Sequence, residues 1–541
     1  MRSKGVTKTR ARALALAVAA ACAGLAAGPA RAVDSQGNYE VAALGAGDGA
    51  MKSWAADDFS FNLSGYARGW VSMNLQDQPE LKAIGAKSKG KLSMVRGSLL
   101  LDADATTGAV KWKAIGRVDR EYKTDYLKDL ERLRTTNGTD HGGDSHSILD
   151  NYNRGEVREF WAELPIGERV TVKAGKQQLV WGESDFFHAM DLVHGYDLSW
   201  RLFFEGENEE WRKPLTLIST KIRVPEVNGM LAAYVRPGAD SCEDIGNTYD
   251  IQGGRWFFQP YRGFDLTAVT KKDCNHPSGD YRDVTGGVRW SGEAFGLNYS
   301  FAWLTTFSAD PVANSAFKPY KKAPQGAVFD RIHPQIDVYG MTVSGYSATL
   351  GAVLSAEMAY TKDQPYNIGT GAFLDPTVPG NVGIGLGGVK LKDTLTTMLR
   401  IDKDLNLEGI FGTSRPSFSS IQLFDTQVLS FKESDDLVRL FAYGTPLTEH
   451  NTILTAFTTL NYRNDTINPG FAVGFDLSHG GGFAIPSIAL TLDDKWLARV
   501  EADLFWSGGH SNKVAFSGQR SQLFGYFDKA SQLVFRLTRQ F

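Results

Sequence analysis

The residues from Lys176 to Arg212 hold the densest collection of chemically capable side chains in the chain. Over 182–212 they carry Glu183, Asp185, Asp191, Asp197, Glu205, Glu207, Glu209 and Glu210, against only Arg201 and Arg212. Gathered around a narrow aqueous passage with low-dielectric walls, such carboxylates would favour cations and repel anions. Phe186, Phe187, Met190, Phe203 and Phe204 lie among them and offer contacts to an apolar cargo. The expectation is a mixed role, with aromatic groups guiding cargo and carboxylates tuning access.

Bond-making chemistry finds little support. The nine histidines are scattered, and His188 and His194 have no Cys or third ligand at metal spacing. No Gly-x-Ser-x-Gly elbow occurs. The stretch 139–152 (TDHGGDSHSILDNY) lacks the fixed spacing of a calcium loop. No catalytic residue, metal or cofactor is expected, and the chain is not read as an enzyme. Cys242 and Cys274 are the cysteines left after the N-terminal apolar run, and in an oxidising compartment they would form a disulfide closing a loop of about thirty residues.

The elements that must position these groups read as strands. Leu533, Phe535, Leu537 and Phe541 share one face of the C-terminal stretch, and Val534, Arg536, Thr538 and Gln540 the other. Trp496, Ala498, Val500, Ala502, Leu504 and Trp506 oppose Arg499, Glu501 and Asp503 in the same manner. One face suits hydrocarbon and the other water, and Trp at both ends suits the membrane interfaces. Short turns near 105–108, 165–168, 225–229, 291–293 and 403–406 alternate with long polar loops near 75–91, 122–154, 182–212, 237–280, 308–331 and 361–389. The fold class is therefore all-β: a transmembrane antiparallel barrel of about eighteen strands, with sixteen as the other count, short periplasmic turns and long extracellular loops. A barrel that wide has an aqueous lumen unless loops fill it. The stretch 122–134 carries Tyr126, Leu130 and Leu133 on one side and reads as a short helix in one such loop.

Residues 1–32 read as a secretory signal peptide, with Arg2, Lys4, Lys8, Arg10 and Arg12 before an apolar run and Ala30-Arg31-Ala32 at the cleavage site. Residues 33–57 read as a periplasmic leader and 58–541 as the barrel. Cleavage takes six basic residues and no acidic one, moving the formal charge from −3 to −9. That balance argues against a nucleic-acid partner. Mean hydropathy is −0.25, too low for a bundle of membrane helices.

The run AGKQQLVWGESDFF (174–187), followed by MDLVHGYDLSWR (190–201), resembles the core signature of a proteobacterial outer-membrane barrel family, the domain of unknown function 1302. Members show a Gly-Lys/Arg-Gln-Gln/Val run, then Trp-Gly-Glu and a segment like Asp-Val-Val-Asn-Pro-Leu-Asp-Leu. This chain has His194-Gly195 in place of Asn-Pro, so the backbone there is expected to differ. The resemblance assigns Lys176, Gln177, Gln178, Trp181, Gly182, Glu183, Asp191, Asp197 and Arg201 to the motif. It implies passage of a small, hydrophobic or lipid-like cargo across the outer membrane with an RND-type inner-membrane transporter and periplasmic partners. An outer-membrane hydrolase acting on lipid or peptide, and a structural or adhesion barrel, are the alternatives.

The strand register aims Gln177, Trp181 and Glu183 at the lumen. Lys176 and Gln178 would then meet lipid unless Gly175 allows a bulge or the strand has left the bilayer. Ser184 to Val193 reads as a capped short helix with one apolar side. The segment either folds inward and narrows the pore or forms an outer lid; both remain open. A terminal Phe541 resembles the signal read by the barrel-assembly machinery, and outer-membrane lipid is the surrounding partner.

Overall fold

The computed structural model of the chain describes residues 52–56, 58–139, 147–185, 187–202, 208–259, 261–268, 270–277, 279–315, 329–369, 387–439, 447–508 and 523–541. The stretch expected to be a signal peptide, the expected leader up to residue 51, and Phe186, Phe203, Phe204, Glu205 and Glu207 lie outside the described residues, as does the centre of the 139–152 stretch.

Eighteen strands form one closed antiparallel barrel. The first six are β1 (Phe59–Asn74), β2 (Leu92–Thr107), β3 (Val110–Glu121), β4 (Arg154–Ile166), β5 (Val170–Gln177) and β6 (Leu215–Val224). Next come β7 (Gly229–Arg236), β8 (Thr285–Ala294), β9 (Leu297–Phe307), β10 (Gln335–Ser347), β11 (Ala352–Ile368) and β12 (Val389–Leu405). The last are β13 (Ser417–Val428), β14 (His450–Thr459), β15 (Ile467–Asp476), β16 (Gly482–Thr491), β17 (Trp496–Trp506) and β18 (Gln532–Gln540). Each pairs with the next, and β18 closes on β1 from Tyr66↔Gln540 to Asn74↔Gln532. Closure leaves no sheet edge to be solvated, the condition for a sheet in hydrocarbon. The count of eighteen is met rather than sixteen, because 403–430 divides into the end of β12, a single helical turn Glu408–Phe411 and β13.

Outward residues are apolar around the whole circumference. Phe160, Ile218, Val288, Phe301, Met341, Leu354, Leu399, Ile421, Phe471, Val500 and Leu533 are exposed, while their neighbours Leu304, Glu357, Arg400, Gln422, Glu501 and Val534 are buried inside. Period-two alternation turns this into a hydrocarbon-compatible belt. The turn expected near 291–293 instead falls at Phe295–Gly296, where both residues have positive φ, 56° and 75°. That is the geometry of a tight hairpin turn whose twist matches the strands. Phe295 thus sits fully exposed in the turn rather than starting β9.

A five-residue strand, Lys52–Ala56, pairs with Phe59–Leu63 of β1, in the row that β18 vacates beyond Phe541. The end of the expected leader therefore belongs to the sheet.

Loops pack into the lumen. The predicted helix forms as α1 (Asp125–Thr136), with Thr124 accepting the Leu127 N–H as its N-cap. Its apolar face, Tyr126, Leu130 and Leu133, packs with Trp70, Met94, Tyr152 and Trp200. Farther along the same part of the wall, Trp256, Phe257 and Phe258 from the 237–284 loop meet Phe483 and Phe505 of β16 and β17 and Phe524, Tyr526 and Phe527 of the last loop. Cys242 and Cys274 in the 237–284 loop are joined by a disulfide with Cα atoms 5.8 Å apart.

Candidate functional site

Residues 178–214 leave the top of β5 and run across the lumen before returning to β6. Gly175 prepares the departure: its φ is 129°, and a Cβ would lie 2.2 Å from the Phe160 carbonyl oxygen. Only glycine takes this backbone cheaply. Gln177 points inward and is buried, donating to the Leu217 carbonyl at 3.0 Å and accepting from Ser219 Oγ at 3.0 Å. Lys176 does not face hydrocarbon, since it reaches Asp244 of the neighbouring loop at 3.5 Å. Gln178 donates to Glu159 at 3.0 Å and accepts from Arg212 at 2.9 Å.

The next residues are fixed by the wall rather than by each other. Trp181 packs edge-on against Tyr234 at 5.3 Å. Gly182 lets the two limbs of the segment touch, as its Cβ would lie 2.7 Å from the Asp191 nitrogen. The Glu183 and Met190 N–H groups both donate to Glu357 of β11, the latter at 3.1 Å. Arg400 of β12 donates to the Glu183 carbonyl at 2.6 Å and pairs with Asp185 at 2.8 Å. The Asp185 N–H goes to Gln422 of β13 at 3.2 Å. With their N–H groups taken by the wall, these residues form no helix among those described, in contrast to the reading of 184–193 as a capped helix.

The returning limb is equally tethered. Asp191 pairs with Arg212 at 2.5 Å and accepts from the Tyr196 hydroxyl at 2.6 Å. Burial pushes the Asp191 carboxyl up, but the Arg212 guanidinium, His188 and the Tyr196 hydroxyl together hold the group below the usual range. His188 stacks on Tyr196 at 4.3 Å, and burial pushes it down to about 4, so it is neutral at pH 7. His194 accepts the Leu179 N–H at 2.8 Å, and its other ring nitrogen lies 3.0 Å from the Lys213 carbonyl. Burial brings it to about 4 as well. Beside it, a Cβ on Gly195 would lie 2.2 Å from the Gly246 carbonyl oxygen, so the His-Gly pair lets the 237–284 loop approach closely. Asp197 pairs with Arg154 at 2.5 Å. Trp200 sits edge-on to Trp70 at 5.4 Å, under the Arg96 guanidinium at 4.5 Å. Arg201 bonds Glu501 and lies 3.6 Å from Asp503, both on β17. Glu210 pairs with Arg68 of β1 at 2.6 Å.

The segment therefore folds inward, and four of the eight carboxylates expected to form an acidic ring are paired with arginines. Asp185, Asp191, Asp197 and Glu210 each sit on an arginine, so their charge is matched within a hydrogen-bonded pair and projects little field into water. Of the expected cargo contacts, Met190 is 1% exposed and locked in an apolar cluster with Trp181, Leu304 and Val338. Phe187 is half-buried, touching Phe424 at 5.7 Å and Phe524 at 6.3 Å. It borders a cavity of about 290 Å³ on the outer side of the segment, with Leu192, Leu198, Trp211, Thr396, Ile453 and Arg439 also lining it. Arg68, Arg154, Glu357 and Arg400 are the anchoring residues that local patterns did not single out; their signal is a buried charge on the inward face of a lipid-exposed strand. No cluster of metal-ligating side chains occurs among the described residues.

A family model described as protein of unknown function, DUF1302, matches residues 13–512. Among curated proteins none matches the chain. Solved structures with a similar course include Salmonella typhi OmpF in complex with daunomycin, at 11% identity and a TM-score of 0.39 over 91% of this chain and 100% of that one. OccAB1 of Acinetobacter baumannii is 10% identical, with a TM-score of 0.41 over 89% and 96%. The outer membrane protein OpdK of Pseudomonas aeruginosa is 8% identical, with a TM-score of 0.41 over 90% and 100%.

Proposed function

We propose that this chain, which belongs to the DUF1302 family, is exported by its signal peptide to the outer membrane and passes a small apolar or lipid-like cargo through a gated lumen. The observation that carries the reading is the inward segment, held by Glu357 and Arg400 on β11 and β12 and by Arg68 and Glu501 near the barrel seam. A lumen with loops packed into it suits a selective carrier of few molecules better than an open diffusion pore. Aromatic groups on the outer side of the segment suit an apolar body. An RND-type transporter and periplasmic partners would take the cargo onward, and the barrel-assembly machinery would read the C-terminal strand.

Proteoliposomes holding the full chain, supplied with a fluorescent apolar tracer, test the reading. Tracer crossing faster than in empty liposomes, with little ion conductance, supports it. Ion flow without tracer passage argues for a plain pore. Release of fatty acid or peptide from lipid or casein by the same detergent-purified protein argues for the hydrolase. Co-purification of the native protein with an inner-membrane transporter tests the partnership.

A further inference from the structure

The cavity outside the inward segment has an uneven lining. Phe187, Leu192 and Leu198 form one side, and Phe424 and Ile453 of the wall form another. Arg439 also lines it, directly after the short bridge Leu437–Val438 that pairs with β11. Several lumen arginines are matched: Arg201 with Glu501, Arg212 with Asp191, Arg255 with Glu121, Arg400 with Asp185 and Asp402. Arg439 has no hydrogen bond or ion pair among the described residues. An unpaired guanidinium in an apolar-lined cavity favours an anionic partner able to accept its fork of N–H groups.

Two carboxylates share the lining, and both already have donors. Asp310 accepts from the Tyr249 hydroxyl and from Asn247 Nδ2 at 2.9 Å. Asp476 accepts the backbone N–H groups of Ser478 at 3.1 Å and His479 at 2.9 Å, with the His479 ring at 3.3 Å. These neutral donors leave both carboxylates charged, and Arg439 is the charged lining residue with no hydrogen-bond partner among the described residues. A volume of about 290 Å³ falls just below the ~300–1,000 Å³ range of ligand pockets, which fits a single short chain and not a whole phospholipid.

We propose that this cavity binds a single-chain amphiphile with an anionic head, the head on Arg439 and the apolar body against Phe187, Leu192, Phe424 and Ile453. The proposal rests on the passage reading and names its cargo class. A carboxylate and a phosphate monoester share the required chemistry, an acceptor pair that matches the guanidinium fork.

Calorimetric titration of the full chain in nanodiscs of zwitterionic lipid tests it, with decanoate, decyl phosphate, decanol and decyltrimethylammonium as probes. Decanoate or decyl phosphate should bind at least tenfold tighter than decanol, and which of the two is tighter identifies the head. Arg439→Met should remove that preference, a loss of about tenfold or more for a charged hydrogen bond worth ~1.5–3 kcal/mol, while decanol affinity holds. Arg439→Lys should restore part of it, which a merely misfolded loop would not do. Equal binding of decanoate and decanol, a preference for decyltrimethylammonium, or unchanged decanoate affinity in Arg439→Met would overturn the proposal. Anion-selective binding without passage of decanoate into proteoliposomes would support the site and overturn the passage reading. Passage of an apolar tracer without anion-selective binding would do the reverse.

Discussion

Arg201 on the inward segment and Glu501 on β17 lie 300 residues apart in sequence and form a side-chain ion pair inside the barrel. Both are almost completely buried, and Asp503 stands 3.6 Å from the same guanidinium. Removing Glu501 leaves Arg201 to Asp503 alone, at a cost below the about 3–5 kcal/mol of a fully uncompensated buried charge. Glu501→Ala is therefore expected to loosen the segment and expose Arg201 and Arg212 to trypsin, with the barrel still migrating as a folded species without heating. Cleavage at the wild-type rate would show that the pair does not hold the segment.

The seam offers a second test. Phe541 donates its N–H to the Gly65 carbonyl at 3.0 Å and accepts the Gly65 N–H at 2.8 Å, and its side chain is buried. Deleting Phe541 removes both hydrogen bonds at the point where the first and last strands meet. The heat-modifiable fraction in outer-membrane preparations should fall sharply; an unchanged fraction would refute its part in closure.

Cys242 and Cys274 are 32 residues apart, and their Cα separation of 5.8 Å lies within the range a disulfide requires. Closing such a loop is worth about 3–4 kcal/mol in the chain-entropy model. Unreduced, unfolded protein should show no titratable thiol, and Cys274→Ser should make the 237–284 loop more susceptible to protease. Free thiols in the unreduced wild type would contradict this.

Acidification should tighten one outer-loop anchor. Asp250 accepts from the Tyr152 hydroxyl at 2.7 Å, Asn151 Nδ2 at 2.7 Å and the Trp256 N–H at 2.9 Å. Burial outweighs these donors and pushes its carboxyl up to about 6 from the ordinary 3.8. Below about pH 4 the group is protonated in both folded and unfolded states and adds no pH dependence. As pH rises from 4 to 6 the unfolded state ionises first, so the folded state loses relative stability, and above 6 the loss is complete. The thermal midpoint of the detergent-solubilised protein should fall across that window, and Asp250→Asn should flatten the fall. A midpoint that rises between pH 4 and 6 because of Asp250 would reverse the sign.

The barrel was legible because lipid and lumen impose opposite demands on adjacent residues: the reading of β17 as Val500 and Leu504 outward, Glu501 and Asp503 inward, is what the folded strand shows. The course of 178–212 was not. Its apolar residues recur at helical spacing, but the Glu183, Asp185 and Met190 N–H groups bond to Glu357 and Gln422, more than 150 residues away. The pairing of Asp185, Asp197 and Glu210 was not legible for the same reason. A count of carboxylates within the loop cannot see Arg68, Arg154 and Arg400, which come from distant strands and match them.

Single-channel conductance of the full chain in planar bilayers bears most directly on whether the inward segment closes the lumen. The wild type is compared with a form in which residues 184–199 are replaced by a Gly/Ser linker. The expected result is low conductance in the wild type and a severalfold rise in the shortened form, with heat-modifiable migration preserved in both. Equal conductance in the two folded proteins would contradict it.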